Sequence, residues 1–413
     1  MKRNFTILLV AAAMLMLAAG PAMAAGFRIP EAGAKAMGLS NAFVGQADDP
    51  SAVQLNPAGL TQVEGNQVLT GITAITTSNS YADTGGTSSD ANRGNFFPPH
   101  FYYSNHLGEG QWWLGLGMTV PFGLGTDWEV DSFSRIVTKT NLEMIKLNPV
   151  MAYKASDSMS LAFGVDYYHV LTASFANEAT VINQLDDGYQ ELEGDGAGFG
   201  FNVGMLYTAS DDLSIGFAYR TGTTIEVEGE IDVTADITGS SVTGYPVPAK
   251  VDLNLPATAA LGLSYRTSDK LRLNFDVDWT GWSAYDELKI KHADLGVVLS
   301  LAPKDYDDTI AYRVGAEYEL TEKWDLRGGF LLDTSPVPEE TYDPRLPDGD
   351  RWGVSIGAGY TRDAWTIDMA YMFVNLDKES IVNSITDSGG TQNVNGDYEG
   401  DINLIGLSVG YAF

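Results

Sequence analysis

The sequence contains no cysteine and only four histidines among its 413 residues. Without cysteine the chain can form no disulfide, so it is not one of the small secreted domains that disulfides stabilise. The histidines, His100, His106, His169 and His292, are scattered, and no two of them have the spacing of metal ligands. We therefore expect neither a metal site nor any other cofactor.

Basic residues are also scarce, since 24 Lys and Arg against 54 Asp and Glu give a formal net charge of -30. Such a chain is a poor partner for nucleic acid and for anionic membrane surfaces. It is nevertheless 44% hydrophobic and 11% aromatic, so it is not a disordered acidic tail. Strong acidity with many aromatics indicates that charge and apolar surface are segregated, as in an outer-membrane barrel.

Long apolar runs are missing after the first residues. Lys2 and Arg3 precede the apolar run Ile7–Ala19, and Ala22-Met23-Ala24 has the small-x-small form of a cleavage site. This order predicts a secretory signal peptide over residues 1–24. The alternative is an N-terminal anchor helix, for which the run is short, and no later segment approaches the ~20 apolar residues of a spanning helix.

In place of long runs, the chain shows alternation of large apolar residues with small or polar ones. In the last stretch, Ile405, Leu407 and Tyr411 alternate with Gly406 and Ser408. The same period of two recurs at 112–119, 161–168, 271–279, 351–360 and 365–373. A soluble β-sandwich alternates too, but here the apolar faces begin or end on Trp or Tyr, as the interface girdles of a membrane barrel require.

Short polar turns alternate with long loops along the chain. The predicted turns are Leu107–Gln111, Lys154–Ser158, Ala209–Leu213, Arg266–Lys270, Leu320–Lys323 and Thr361–Ala364. The predicted loops are Ser80–Asn95, Val120–Arg135, Ala176–Glu193, Glu230–Lys250, Tyr285–Tyr306, Thr334–Gly349 and Asp377–Gly396. Six turns join twelve strands, and a strand at Gln67–Ser78 and the closing strand make about fourteen. The sequence predicts an all-β fold, a transmembrane antiparallel barrel over residues 65–413.

The stretch Ala25–Leu60 lacks the alternating pattern of a β-strand. It is rich in Ala and Gly, mixes charged with apolar residues, and ends on Asn56-Pro57-Ala58-Gly59-Leu60. An open barrel does not need such a segment, whereas a barrel that is plugged and opened selectively does. We therefore predict a small hatch, or plug, at residues 25–64 inside the barrel lumen.

Several short motifs, in this order and spacing, resemble the FadL-type family of outer-membrane transporters for long-chain fatty acids and other hydrophobic compounds. They are Ala25-Gly26-Phe27, Asn56–Leu60, Asp333–Pro338, Pro347–Trp352 and Tyr411-Ala412-Phe413. The resemblance implies a fourteen-stranded barrel in the outer membrane with an N-terminal hatch. It also implies hydrophobic ligands captured from outside, bound in the lumen and released sideways through the wall. Phe413 resembles the terminal aromatic that the outer-membrane assembly machinery recognises, and we expect a monomer.

The hatch and the wall offer three candidate gating features. Asn56, Pro57 and Ala58 form either an ordinary tight turn or, by the resemblance, a hinge beside the wall opening. Phe27 is either a buried plug residue or a mobile tip that reaches the ligand. Gly115 and Gly117 in the third strand mark either the inward kink that opens the wall or small lumen positions against which the hatch packs.

Three arginines have inward positions by the alternation. Arg313, Arg327 and Arg351 fall on the strands that we count as ten, eleven and twelve, so they are neighbours. Together they could bind a ligand carboxylate, with Arg351 favoured because it lies within the Pro347–Trp352 motif. The alternative is an ion-pair network with Glu317, Asp325 and Asp333, on the same inward faces.

Two other functions are alternatives to the gated transporter. A general polar-solute porin does not need the segment before the first strand. An outer-membrane hydrolase needs a nucleophile and a base, but Gly353–Gly357, which matches G-x-S-x-G, sits mid-strand without a following helix. Asp343, Asp348 and Asp350 lack the spacing of a calcium loop. The sequence therefore predicts a non-enzymatic transporter whose partners are a hydrophobic small molecule and the outer-membrane lipid.

Overall fold

The computed structural model describes residues 26–108, 110–180, 187–237, 240–243, 246–387 and 389–413. The expected signal peptide at residues 1–24, and Ala25, lie outside the described residues. Within the described ranges, no helix combines the length and the apolar character that are needed to span a membrane.

In the described ranges, fourteen antiparallel strands form the wall, which confirms the predicted fold class and strand number. Eight of them are uninterrupted from end to end. The uninterrupted strands are β1 Asn66–Asp83, β4 Lys139–Lys154, β5 Met159–Thr180, β6 Asp187–Ser210, β11 Trp324–Asp333, β12 Arg351–Arg362, β13 Trp365–Ile381 and β14 Gly396–Ala412. The others consist of segments: β2 Ser88–Asp90, Gly94–Phe96 and Pro99–His106; β3 Trp112–Thr119 and Gly123–Asp127; β7 Leu213–Arg220 and Thr223–Ile237; β8 Ser240–Thr243, Val247–Leu255 and Thr258–Ser268; β9 Leu271–Thr280 and Glu287–His292; β10 Val298–Pro303 and Thr309–Thr321.

The sheet closes on itself because β1 pairs with β14. The ladder runs from Gln67 opposite Ala412 to Asp83 opposite Gly396. Closure leaves the first and last strands without the unpaired edge that would otherwise attract another chain.

The six short turns lie where the sequence predicts them, but several strands extend well into the predicted loops. The predicted loop Ala176–Glu193 is an example, because β5 continues to Thr180 and β6 begins at Asp187. Outside the lipid both faces of a strand meet water or loops, so the apolar alternation that identifies a strand fades while its backbone pairing continues.

Side chains along β14 alternate between the lipid face and the interior. Ile405 and Leu407 are exposed outward, whereas Leu404 and Ser408 are buried. Near the short turns, aromatic pairs such as Trp324 with Tyr360 lie on the outside, with ring centroids 4.7 Å apart. These pairs form the girdle expected at one membrane interface.

Residues 26–64 contact the inner face of the wall on several sides. This segment contains two short helices, α1 Ala34–Met37 and α2 Ala52–Leu55, and a 3-10 helix, Pro57–Gln62. The Ala34 N–H donates to Ser408 Oγ of β14 at 2.9 Å, and the Ser40 N–H to Ser355 Oγ of β12 at 2.9 Å. On another side, the N–H groups of Phe43 and Val44 donate to Asp276 Oδ2 of β9 at 2.7 and 2.8 Å.

Small wall residues make this close fit possible. A Cβ on Gly216 of β7 would lie 2.0 Å from the Val44 carbonyl oxygen, and one on Gly329 of β11 would lie 2.4 Å from the Leu39 carbonyl carbon. Glycine at these inward positions lets the backbone of the segment rest directly on the backbone of the wall.

Candidate functional site

A cavity of about 530 Å³ lies between the N-terminal tip and the outer half of the wall. Most of its lining side chains are aliphatic or aromatic. The apolar lining includes Phe27, Ile29, Ile75, Phe96, Phe97, Leu124, Leu142, Met144, Ile145, Leu171, Leu331, Leu346, Val374, Leu376, Ile402 and Leu404. The charged lining consists of Arg28, Glu31, Glu143, Arg313, Asp333, Asp348 and Arg351. An apolar cavity with a few convergent polar groups is the usual form of a small-molecule site.

The wall is interrupted beside this cavity, between β2 and β3. Their ladder ends at Phe101 opposite Met118, and the next backbone contact across the gap is the Asn92 N–H, which donates to the Asp127 carbonyl at 2.8 Å. Pro98 and Pro99 lie on the β2 edge of the gap and have no N–H to donate.

The β3 edge bonds to the N-terminal tip in place of β2. The Gly123 N–H donates to the Phe27 carbonyl at 3.0 Å, and the Ile29 N–H donates to the Pro121 carbonyl at 2.9 Å. Arg28 and Phe122 form the bridge between these two bonds. The tip therefore satisfies backbone groups that the interruption would leave unpaired.

Gly115 and Gly117, predicted to form the kink, lie instead in the regular ladder of β3. Gly115 pairs with Ser104 and Val150, and a Cβ on it would lie 2.6 Å from Leu60 Cδ1. Gly117 likewise faces Val53. The interruption falls a few residues later, after Thr119, because Pro121 cannot donate to a ladder. The two glycines are small positions against which the N-terminal segment packs, which was the alternative reading.

Phe27 lies in an aromatic cluster at the outer side of the tip. Its ring centroid is 4.7 Å from that of Trp282, 5.6 Å from Tyr285 and 5.7 Å from Phe122. The side chain is buried and lines both the large cavity and a second one of about 30 Å³ that Tyr306 also lines. Phe27 therefore stands between the two cavities.

Arg351 and Asp348 hold the backbone of Gly26 from both sides. The Gly26 N–H donates to Asp348 Oδ2 at 3.1 Å, and Arg351 NH2 donates to the Gly26 carbonyl at 3.2 Å and to Asp348 Oδ1 at 3.1 Å. The Arg351 Nε is buried and finds no hydrogen-bond partner among the described residues. Burial raises the pKa of the Asp348 carboxyl to about 6, although Arg351 acts in the opposite direction.

Arg313 and Arg327 lie on β10 and β11 as expected but are engaged in ion pairs. Arg313 Nε donates to Asp278 Oδ2 at 2.9 Å, and its NH2 lies 3.7 Å from Asp333 Oδ2. Arg327 contacts three carboxylates at 2.6 to 3.7 Å, those of Asp368, Glu317 and Asp325. Arg313 lines the large cavity, whereas Arg327 is not among its lining residues.

The Asn56-Pro57-Ala58 motif starts the 3-10 helix. Asn56 Oδ1 accepts from the Ala58 N–H at 3.3 Å, and its Nδ2 donates to the carbonyls of Val44 and Met205 at 2.9 and 3.0 Å. Met205 belongs to β6, so Asn56 ties the segment to the wall away from the gap between β2 and β3.

Sequence patterns do not identify three parts of this site. They are the bond of Asp348 to Gly26, the place of Arg28 in the cavity lining, and the unpaired β2 edge beyond the predicted loop Ser80–Asn95. The adjacent Pro98 and Pro99 beside an apolar pair, Phe96 and Phe97, were the signal for an edge that cannot pair. The described residues contain no group of three or more His, Asp or Glu side chains placed to hold a metal ion. Ser355, in the G-x-S-x-G match, hydrogen-bonds Ser40 at 2.9 Å.

Comparison with known proteins gives consistent matches over nearly the whole chain. A profile of the family described as outer membrane protein transport protein (OMPP1/FadL/TodX) matches residues 15–413. The long-chain fatty acid transport protein of Escherichia coli O6:H1 strain CFT073 is 27% identical over an alignment covering 100% of this chain and 99% of that protein.

Two crystal structures share the fold. A Pseudomonas aeruginosa FadL homologue is similar with a TM-score of 0.86 at 22% identity, covering 94% of this chain and 100% of that chain. The P. putida toluene transporter TodX is similar with a TM-score of 0.72 at 19% identity, covering 91% and 98%. At these identities, the similarity to the two structures concerns the fold alone.

Proposed function

Because the chain belongs to the outer membrane protein transport family (OMPP1/FadL/TodX), we propose that it takes up long-chain fatty acids or closely related hydrophobic carboxylic acids. The protein is an integral β-barrel of the outer membrane and a transporter of hydrophobic compounds. The fatty acid is the specific part of the proposal. The name of its E. coli relative, a long-chain fatty acid transport protein, supports it.

The observation that carries the proposal is the mainly apolar cavity, which Arg351 lines beside the N-terminal tip. Its volume of about 530 Å³ lies in the range of drug-sized ligand sites. Arg351 Nε is a buried donor without a partner among the described residues, and a ligand carboxylate would satisfy it. Arg313 supplies further positive charge, whereas Arg327 serves the ion-pair network of the wall.

Residues 25–64 act in this proposal as a hatch that closes the barrel between the cavity and the short-turn side. Phe27 is the end of the hatch that the ligand meets, and Asn56, Pro57 and Ala58 anchor the opposite end to the wall. Burial of the segment and its hydrogen bonds to β9, β12 and β14 support this division. An open porin would need a continuous aqueous lumen, which such a segment would obstruct.

Release in this proposal is sideways, through the gap between β2 and β3. An acyl chain that left into water would lose about 0.8 kcal/mol for each CH₂ group exposed, so a long chain would be retained. An exit into the bilayer avoids this cost. The position of the gap on the cavity's lining supports the route, since Pro98, Pro99 and Gly123 line both.

The test compares palmitate and methyl palmitate binding to the purified wild-type protein and to Arg351→Ala. Removal of one charge-assisted contact predicts that Arg351→Ala weakens palmitate binding by about tenfold to a hundredfold. Methyl palmitate has no carboxylate, so its affinity should be unchanged and reports on the integrity of the cavity. Equal palmitate affinity in both proteins would refute the carboxylate contact. Large steady ohmic currents through the wild-type protein in planar bilayers would refute the gated transporter in favour of a porin.

A further inference from the structure

We propose that the Phe96 ring is the side chain that closes the lateral gap, and that its rotation lets a bound acyl chain pass from the cavity into the bilayer. This inference rests on the proposed function and adds the residue that controls exit.

The gap is a slot with a defined bottom and top. Phe101 opposite Met118 is the last ladder pair below it, and the Asn92 N–H bond to Asp127 closes it above. Between these points the described residues of β2 and β3 share no ladder pair. In a regular sheet, strands lie about 4.8 Å apart and are joined by hydrogen bonds, so an acyl chain cannot pass. Only an interruption of this kind offers a passage.

The Phe96 ring packs on two glycines. A Cβ on Gly125, across the slot on β3, would lie 2.3 Å from Phe96 Cζ, and one on Gly94 would lie 2.5 Å from Phe96 Cε2. The ring therefore spans the slot and rests directly on the backbone of the opposite edge. Any side chain larger than hydrogen at position 125 would displace it, because real Cβ atoms do not approach so closely.

Both edges of the slot are hydrogen-bonded through their backbones to neighbouring strands, whereas the Phe96 ring makes no hydrogen bond. The β2 edge is bonded on its other side to β1, where Ile75 pairs with Phe96 and the Thr73 N–H donates to the Pro98 carbonyl at 3.1 Å. The β3 edge is bonded to β4, where Gly125 pairs with Asn141. The slot can therefore open by rotation of one side chain, without breaking a strand.

The inward direction of the Phe96 ring distinguishes it from the next residue. Phe96 is half-buried and packs on the apolar cluster that lines the cavity, whereas Phe97 is 61% exposed. Successive side chains of an extended strand point to opposite faces, so Phe97 points away from the glycines on which Phe96 packs. Phe97 still lines the cavity, so the control residue is Phe163 of β5, which is 49% exposed and lines neither of the two cavities.

The experiment measures the release of a fluorescent straight-chain fatty acid from the protein into lipid vesicles, by stopped flow, together with its equilibrium Kd. The proteins are wild type, Phe96→Ala and the control Phe163→Ala. Removing the gate lowers the barrier to passage in both directions, so Phe96→Ala should speed release by about tenfold or more, whereas Kd, which only the lost contact in the cavity affects, should rise much less. Phe163→Ala should release at the wild-type rate. Correct barrel folding is checked by heat-modified mobility in gels.

Three results with the variants would overturn the assignment. Release from Phe96→Ala at the wild-type rate would exclude Phe96 as the gate. A rise in Kd equal to the rise in release rate would show that the ring is only a contact in the cavity wall. Equal acceleration by Phe163→Ala would show that the loss of any lipid-facing ring loosens the barrel. Failure of the wild-type protein to bind the probe would refute the proposed function and the gate with it, whereas normal binding with unaltered release refutes the gate alone.

A cross-link gives a second, independent measurement, since the chain has no native cysteine. In Phe96→Cys with Gly125→Cys, release should be faster than in the wild type. It should slow when a short bis-thiosulfonate bridges the slot by forming one disulfide with each cysteine and releasing two sulfinates. It should recover when a thiol reductant cleaves these disulfides. A release rate that bridging leaves unchanged would overturn the proposal, because the acyl chain would then leave by another route.

Discussion

Asp348 and Arg351 keep the N-terminal tip docked through their hydrogen bonds to the Gly26 backbone, and the stability of this docked state should depend on pH. The direction of the dependence follows from the burial of Asp348. In the docked state the pKa of Asp348 is raised from its ordinary value of 3.8 to about 6. When the N-terminal tip leaves and water reaches the carboxyl, its pKa falls back towards 3.8. The docked state thus binds the proton more tightly. Its stabilisation is full below the solvated pKa and is lost as pH rises through about 6.

The magnitude follows from the two pKa values. The complete difference between low and high pH corresponds to about 3 kcal/mol. Between about pH 5 and pH 7.5 only part of it is traversed, and the opening equilibrium should rise about tenfold. Burial also raises the pKa of Glu31 in the same segment, which adds a dependence of the same sign. Asp348→Asn should therefore reduce the pH dependence, and adding Glu31→Gln should remove most of the rest.

Hydrogen exchange with mass spectrometry provides the assay. The amides of Ile29 and Gly123 are the two whose hydrogen bonds join the tip to β3, so their protection reports docking. Protection must be corrected for the intrinsic pH dependence of exchange, and an amide in the β1–β14 ladder serves as the internal control. Corrected protection that does not change with pH, or that changes equally in Asp348→Asn, would refute the reasoning.

Two further outcomes are expected. Deleting residues 25–28 should alter fatty-acid uptake while the barrel still assembles, because the ladder that closes β1 on β14 does not involve them; loss of the folded barrel would show that the tip is structural. Asp276→Ala should leave the buried N–H groups of Phe43 and Val44 without their acceptor, which costs about 3 kcal/mol locally. Hydrogen exchange of these two amides should therefore accelerate while amides of β14 keep their protection, and unchanged exchange at Phe43 would contradict this account.

Local patterns were sufficient for the wall. The period of two along the strands, the girdle aromatics and the six short turns predicted fourteen strands, and Arg313, Arg327 and Arg351 lie on β10, β11 and β12 as counted. These features follow from the sequence because each residue's side of the sheet depends only on its position along its own strand.

Patterns were less informative above the membrane and at the site. The predicted loop Glu230–Lys250 contains the end of β7 and the start of β8, since polar strands there lack the apolar alternation. For Gly115 and Gly117 the sequence leaves two alternatives open, a kink and a packing position, because a glycine that bends a strand and one that makes room for a packed segment look alike in sequence.

The sequence by itself determined the barrel, its strand number, the inward arginines and a separate N-terminal segment, because these are properties of neighbouring residues. Only the tertiary structure decided that Arg351 keeps an Nε donor without a partner among the described residues, whereas Arg327 is engaged in ion pairs with carboxylates. Only the tertiary structure, too, decided that Phe27–Ile29 forms hydrogen bonds with the interrupted edge of β3. These contacts join residues that are far apart in sequence. They depend on how the whole N-terminal segment fits against the wall, which many weak contacts determine together and no single stretch of sequence specifies.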